Sequence, residues 1–237
     1  MDENIIVREQ ELTMQQFDDL LHQHLLPQLY RHKALRLAYG EDAPEGYDLH
    51  QGVAWYNNQE MPIQLLGTYS TNDQSFCWAW ASPNPMPAPL IQSSLQLKEW
   101  FSVNGMKHLV DAGGIPKVDP LRLCAVSAGI LNESYVIEIL RFTNTIHGCI
   151  LVSHPEPLPR LTPHPLCRMM QYALQQHLHR HLEPTLSFLQ QIGFEVIQNG
   201  RHWNANRDDG TITITLDEQD YVSQITPLTQ DATGNLQ

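Results

Sequence analysis

The chain has 237 residues, with 14 basic and 26 acidic side chains, a formal net charge of −12 and 42% hydrophobic residues. That apolar share is enough for a folded core, and the acidic balance argues against nucleic acid and anionic membrane partners, both of which reward basic patches. No apolar run approaches the ~20 residues of a membrane span, and Met1 to Gln10 show no export signal, so a cytoplasmic chain is expected.

The first expected element is a helix over roughly residues 9–39, on which Phe17, Leu20, Leu21, Leu25 and Leu29 recur at helical spacing. Pro27 lies inside it and is expected to kink or split it. Gly40, Pro44 and Gly46 mark a loop. Strands are expected at Tyr47–Tyr56, Ile63–Tyr69 and Phe76–Ala81, the last two joined by the turn residues 70–74. Period two places Phe76, Trp78 and Trp80 on one face of the third strand. The alternate prolines Pro83, Pro85, Pro87 and Pro89 exclude a helix or a central ladder. Helices at Leu90–Phe101 and Pro120–Leu131 follow, then a hairpin of Ser134–Phe142 and Ile146–Val152.

A second proline-rich breaker, from Pro155 to Pro165, precedes a long helix over Leu166–Ile192 that Pro184 should kink. Strands at Phe194–Ile197, Thr211–Leu216 and Tyr221–Ile225 end the pattern, with Asp208-Asp209-Gly210 as a hairpin turn rather than a calcium loop. The fold class is therefore α+β, helices packed on antiparallel sheets. The expected lobes are residues 1–153 and 164–228, with a loose tail at 229–237. The two lobes admit a duplicated α-β-β-β unit: glycine, aromatic, acid, aliphatic, glutamine, glycine and tryptophan recur in order from Gly46 to Trp55 and from Gly193 to Trp203. On that reading Trp55 and Trp203 occupy equivalent buried places.

Chemistry is sparsely marked. The four cysteines, Cys77, Cys124, Cys149 and Cys167, form no CxxC pair and sit among apolar residues, as buried free thiols do. A nucleophilic Cys149 beside His147 is the sharper alternative. Among the twelve histidines, His177 and His181 stand i,i+4 on the expected helix and could clip a metal ion. A third ligand would have to come from His154, His164 or a carboxylate. No G-x-S-x-G elbow, S-x-x-K pair or phosphate loop is present, and no cofactor is expected.

The segment Leu66-Gly67-Thr68-Tyr69-Ser70, five residues to Phe76, then Trp78-Ala79-Trp80-Ala81, resembles the signature of a bacterial family of unknown function over residues of about 46–152. The resemblance implies a bacterial, cytosolic α+β protein and no particular reaction. The expected element order over residues 10–192 is also similar to that of bacterial secretion chaperones, acidic dimers that hold an unfolded partner. The function expected is accordingly a non-enzymatic protein-binding module, chaperone-like or toxin-neutralising, with a basic protein partner and a homodimer as its associations. The contrasting expectation, from a different class, is a metal-dependent hydrolase built on His177 and His181.

Overall fold

Helix α1 (Glu3–Tyr39) runs unbroken through Pro27. The expected split does not occur. An interior proline costs about 3 kcal/mol, and the buried Leu25, Leu26 and Leu29 around it each contribute about 1.5–3 kcal/mol. The computed structural model describes residues 3–42, 44–84, 86–110, 115–131, 134–154, 157–176 and 181–228; the tail at 229–237 lies outside them. The fold is α+β with two antiparallel sheets. The chain divides into two units, Met1–His24 with Leu35–Leu158, and Leu25–Ala34 with Pro159–Gln237.

In the first unit a seven-stranded sheet is built from β1 (Gly46–Asp48), β2 (Val53–Tyr56), β3 (Gln59–Ser70), β4 (Ser75–Trp78), β5 (Ile115–Pro116), β6 (Tyr135–Arg141) and β7 (Ile146–Ser153). The residues expected as one strand, Tyr47–Tyr56, are a hairpin, because Gly52 at φ +69° reverses the chain. Strand β3 is the spine: its start pairs with β2, its end with β4, and residues 63–70 with β7. Between Leu65 and Gly67 the register slips, and Ser94 Oγ donates to the freed Leu66 carbonyl (3.1 Å). Ser94 belongs to helix α2 (Gln92–Val103), whose first turn is capped from β3: Gln64 Oε1 accepts from the Ser93 N–H and Gln64 Nε2 donates to the Pro89 carbonyl.

Strand β4 stops at Trp78, and Ala79–Ala81 form a 3-10 turn. Trp80 therefore leaves the expected strand face and stacks flat on Trp78, centroids 4.5 Å apart. The Trp78 indole N–H donates to the Leu109 carbonyl, which meets the polar end of a buried ring. Helix α3 (Pro120–Leu131) packs on β6 and β7. On the core face of β6, between Val136 and Leu140, stands Glu138, 1% exposed. Its carboxylate takes a 2.6 Å bond from Arg36. Tyr56 lies beside it, and burial first, then the Glu138 charge, pushes that phenol's pKa up.

In the second unit the expected long helix is two: α4 (Pro163–Gln175) and α5 (Leu182–Gln191). A proline deep in a continuous helix would clash with the carbonyl four residues back. Here Pro184 falls in the first turn of a new helix, where no N–H is needed. Four strands follow as a meander, β8 (Glu195–Asn199), β9 (His202–Arg207), β10 (Gly210–Leu216) and β11 (Val222–Leu228). The sequence pattern missed β9. Its Asp208-Asp209 connection to β10 is the expected hairpin turn.

The pairing of Trp55 with Trp203 fails on strand parity. Ala54 and Tyr56 are buried, so Trp55 stands on the opposite face of its strand, over Gly46. Trp203 shares the inner face with the buried Ala205, opposite Ile214. The hairpins differ too, with Asp48 closing on Val53 but Asn199 on His202.

Gly67 offers a direct test of β3 packing. A Cβ there would run into the Cys77 carbonyl oxygen and the Phe76 ring, whereas one at Gly46 meets only the Trp55 ring at 3.5 Å. Gly67→Ala is expected to lower the unfolding free energy by roughly 1–3 kcal/mol, and Gly46→Ala to change it by less than about 0.5 kcal/mol. Urea denaturation of the two variants measures this, and equal effects would contradict the packing.

Candidate functional site

The four-stranded sheet of the second unit presents one covered and one open side. On the inner face Ala205, Ile212, Ile214, Val222 and Ile225 are buried, with α4 packed on β10 and β11 and α5 on β8. On the outer face β9 and β10 carry a ladder of polar residues. Thr211 bonds to Asn206 (2.9 Å), Thr213 to Asn204 (3.1 Å) and Thr215 to His202 (3.1 Å). These cross-strand pairs stiffen the sheet.

Arg207, whose side chain is 2% exposed, ties the unit together. Its Nη2 donates to the Leu161 carbonyl (2.6 Å) and its Nη1 to the Ile192 carbonyl (3.1 Å). Nε and Nη2 grip Asp209 as a fork, at 2.7 and 2.8 Å. The guanidinium also lies over the Phe194 ring, 4.1 Å from its centre. One side chain thus fixes the segment before α4, the end of α5, the β9–β10 turn and the residue just before β8.

Strand β8 is an edge of this sheet, and all of it but Val196 is exposed. The connection to β9 is Gly200-Arg201, with Gly200 at φ +64° as a two-residue hairpin prefers. Such a loop closes on a hydrogen-bonded pair, here Asn199 and His202. By alternation Glu195, Ile197 and Asn199 exchange bonds with β9, and Val196 and Gln198 turn their N–H and C=O groups to the open side. Ile197 is 50% exposed. The opposite edge, β11, carries Pro227, which suits an unpaired side. Strand β8 has no proline, no basic residue and no bulge in its pairing, the usual devices that blunt an edge. Among the described residues no strand pairs with its outer side.

The metal-site expectation rests on His177, His181, His154 and His164. His177 lies outside the described residues. His181 is the exposed residue before α5, with extended backbone (φ −82°, ψ 134°) rather than helical. Its carbonyl accepts from Thr185 Oγ1, and its ring meets Tyr221 edge-on at 5.8 Å. His154 follows β7 in the first unit, and His164 is the second residue of α4. Among the described residues no group of three or more His, Cys, Asp or Glu is placed to hold a metal ion.

His164 also lines a cleft of about 410 Å³ with Thr162, Pro163, Asp208, Asp209 and Pro227. Its carboxylates are matched, Asp209 by Arg207 and Asp208 by Arg160 (2.8 Å). Pro163 and Pro165 remove two of the N–H groups that a helix start offers to anions. The cysteines are free. A hydrogen bond to Cys149, then burial, holds the Cys124 thiol well above its ordinary pKa; burial pushes Cys167 up to about 12 and raises Cys77. These three are thiols, not thiolates, at neutral pH, and Cys149 is fully buried.

Comparison with protein families matches residues 18–155, more than half of the chain, to a family of unknown function, DUF6882. The chain belongs to that family. Neither the curated proteins nor the solved structures give a significant match. The DUF6882 span runs from α1 to just beyond β7, so β8 and the rest of its sheet lie outside it. No helix among the described residues is long and apolar enough to cross a membrane.

Arg207 and Asp209 give this DUF6882 protein a testable pH signature. Hydrogen bonds from Arg207 hold the Asp209 carboxyl below its usual pKa, with burial opposing. A depressed folded pKa contributes stability above the unfolded value of about 3.9 and loses it as pH falls through the folded value. The wild-type urea midpoint is expected to drop below about pH 4, and that of Asp209→Asn, already lower at pH 7, to drop less. Arg207→Lys keeps the charge but loses the fork, at roughly 1–3 kcal/mol for each carbonyl left unmet. Parallel pH curves for wild type and Asp209→Asn would contradict the assignment.

Proposed function

We propose that this chain is a non-enzymatic protein-binding module that takes an extended segment of a partner as an added strand along β8. The open edge of β8 carries the reading: outward-facing N–H and C=O groups at Val196 and Gln198, a half-exposed Ile197, and no proline, basic residue or bulge in the strand. Strand addition draws its affinity from main-chain hydrogen bonds and its selectivity from alternate side chains. A chaperone-like or toxin-neutralising role fits such a mode, because both require holding an extended or exposed stretch of another protein. The net charge of −12 favours a basic segment by long-range steering. Four free cysteines suit a reducing compartment, and we place the protein in a bacterial cytoplasm.

The matched ion pairs of the cleft and the protonated thiols support a binding role over a catalytic one. The test uses labelled peptides of alternating lysine and valine, with a glutamate–valine counterpart, followed by fluorescence anisotropy. The basic peptide is expected to bind and the acidic one not to bind. Gln198→Pro removes an outward N–H, together with the side-chain bond to the Gly200 carbonyl, and is expected to weaken binding by about tenfold or more. Undiminished binding by Gln198→Pro would contradict the site.

A further inference from the structure

We propose that in the free protein the open side of β8 is closed by β8 of a second copy of this chain. This rests on the reading of β8 as a binding edge, since it concerns how that edge is kept covered until a partner arrives.

The strand is self-complementary about its central residue. Antiparallel pairing centred on Ile197 sets Val196 opposite Gln198 of the second copy, and Gln198 opposite Val196. These are the residues whose N–H and C=O groups face outward, so they meet as hydrogen-bonded pairs. Ile197 then faces Ile197 of the second copy in a non-hydrogen-bonded pair, where side chains approach most closely, Cα atoms about 4.5 Å apart. The two half-exposed isoleucines cover each other.

The charges agree with this register. Glu195 is the only ionisable side chain in β8, and it falls opposite Asn199 of the second copy. At ~3.4 Å per residue the two Glu195 carboxylates lie roughly 14 Å apart, beyond the screening length of ~8 Å at physiological salt. Parallel pairing in register would instead set them side by side at about 4.8 Å. A contact of five residues on each side is small against the ~1,200–2,000 Å² of a stable interface. The pairing is therefore weak and reversible, as a seal displaced by a partner strand must be.

The experiment is size-exclusion chromatography with light scattering on the full chain, from about 1 to 200 µM, for wild type, Gln198→Pro and Ile197→Lys. The wild-type mass is expected to rise with concentration from 27.1 kDa toward twice that value. Both variants are expected to stay folded and at the monomer mass, Gln198→Pro with a slightly lower melting temperature because it also loses the side-chain bond to the Gly200 carbonyl. A wild type that remains monomeric at the highest concentration overturns the proposal. So does a dimer that both variants leave intact. The lysine–valine peptide separates the two readings. A monomeric wild type that binds it overturns the self-pairing alone. A variant-sensitive dimer that never takes the peptide supports the self-pairing and overturns the partner-binding reading.

Discussion

The candidate site depends on one guanidinium. Arg207 bonds two backbone carbonyls, forks onto Asp209 and lies over Phe194, so four separate pieces of the second unit are registered against a single rigid plane. The carbonyls of Leu161 and Ile192 come from irregular segments whose acceptors have no ladder to join, and each would cost about 1–3 kcal/mol if buried unmet. A lysine could not reach all of them at once, because its donors radiate from one point. Phe194 immediately precedes β8, and its N–H is itself bonded back to the Leu189 carbonyl. The edge strand thus starts from a fixed anchor, though among the described residues it pairs with β9 alone. A rigid edge loses little entropy when a further strand pairs with it, which is what favours addition there over addition to a mobile loop.

The first unit uses a buried pair differently. Glu138 stands among apolar neighbours, and its charge is matched by Arg36 from the end of α1, with the Tyr56 phenol alongside. Desolvation offsets much of what such a pair contributes. Its consequence is register: the end of α1 must meet the middle of β6 for the charge to be satisfied. Close packing at Gly67 and the Trp78–Trp80 stack supply the rest of the local constraint. These groups are engaged with one another, which leaves them as parts of the frame.

Much of the fold was legible from residue pattern. The helix Pro120–Leu131 and the hairpin turning at residues 143–145 fall where periodicity and turn chemistry place them. The misreadings share a cause: a local rule was applied without its tertiary setting. Pro27 did not break α1, because buried leucines on both sides outweigh the lost bond. Pro184 did more than kink a helix, because a first turn accommodates it. Strand β9 was missed because HWNANR alternates only Trp203 and Ala205 against polar residues that serve the outer ladder. The dipeptide Asn199-Gly200 before it was a hairpin signal. Trp55 and Trp203 matched in sequence but not in face, since one residue of strand parity inverts every side chain. The edge character of β8 could not be read locally at all. Which strand ends a sheet is a property of topology, and only the meander order shows it.

The central claim is that β8 is an open strand, and residue-resolved amide hydrogen exchange tests it most directly. In dilute solution the Val196 and Gln198 amides are predicted to exchange rapidly while Ile197 and Asn199, bonded to β9, are protected. Raising the protein concentration is predicted to slow Val196 and Gln198 selectively. Equal protection of Val196, Ile197, Gln198 and Asn199 at every dilution would show the edge already covered within one chain, and would contradict the account.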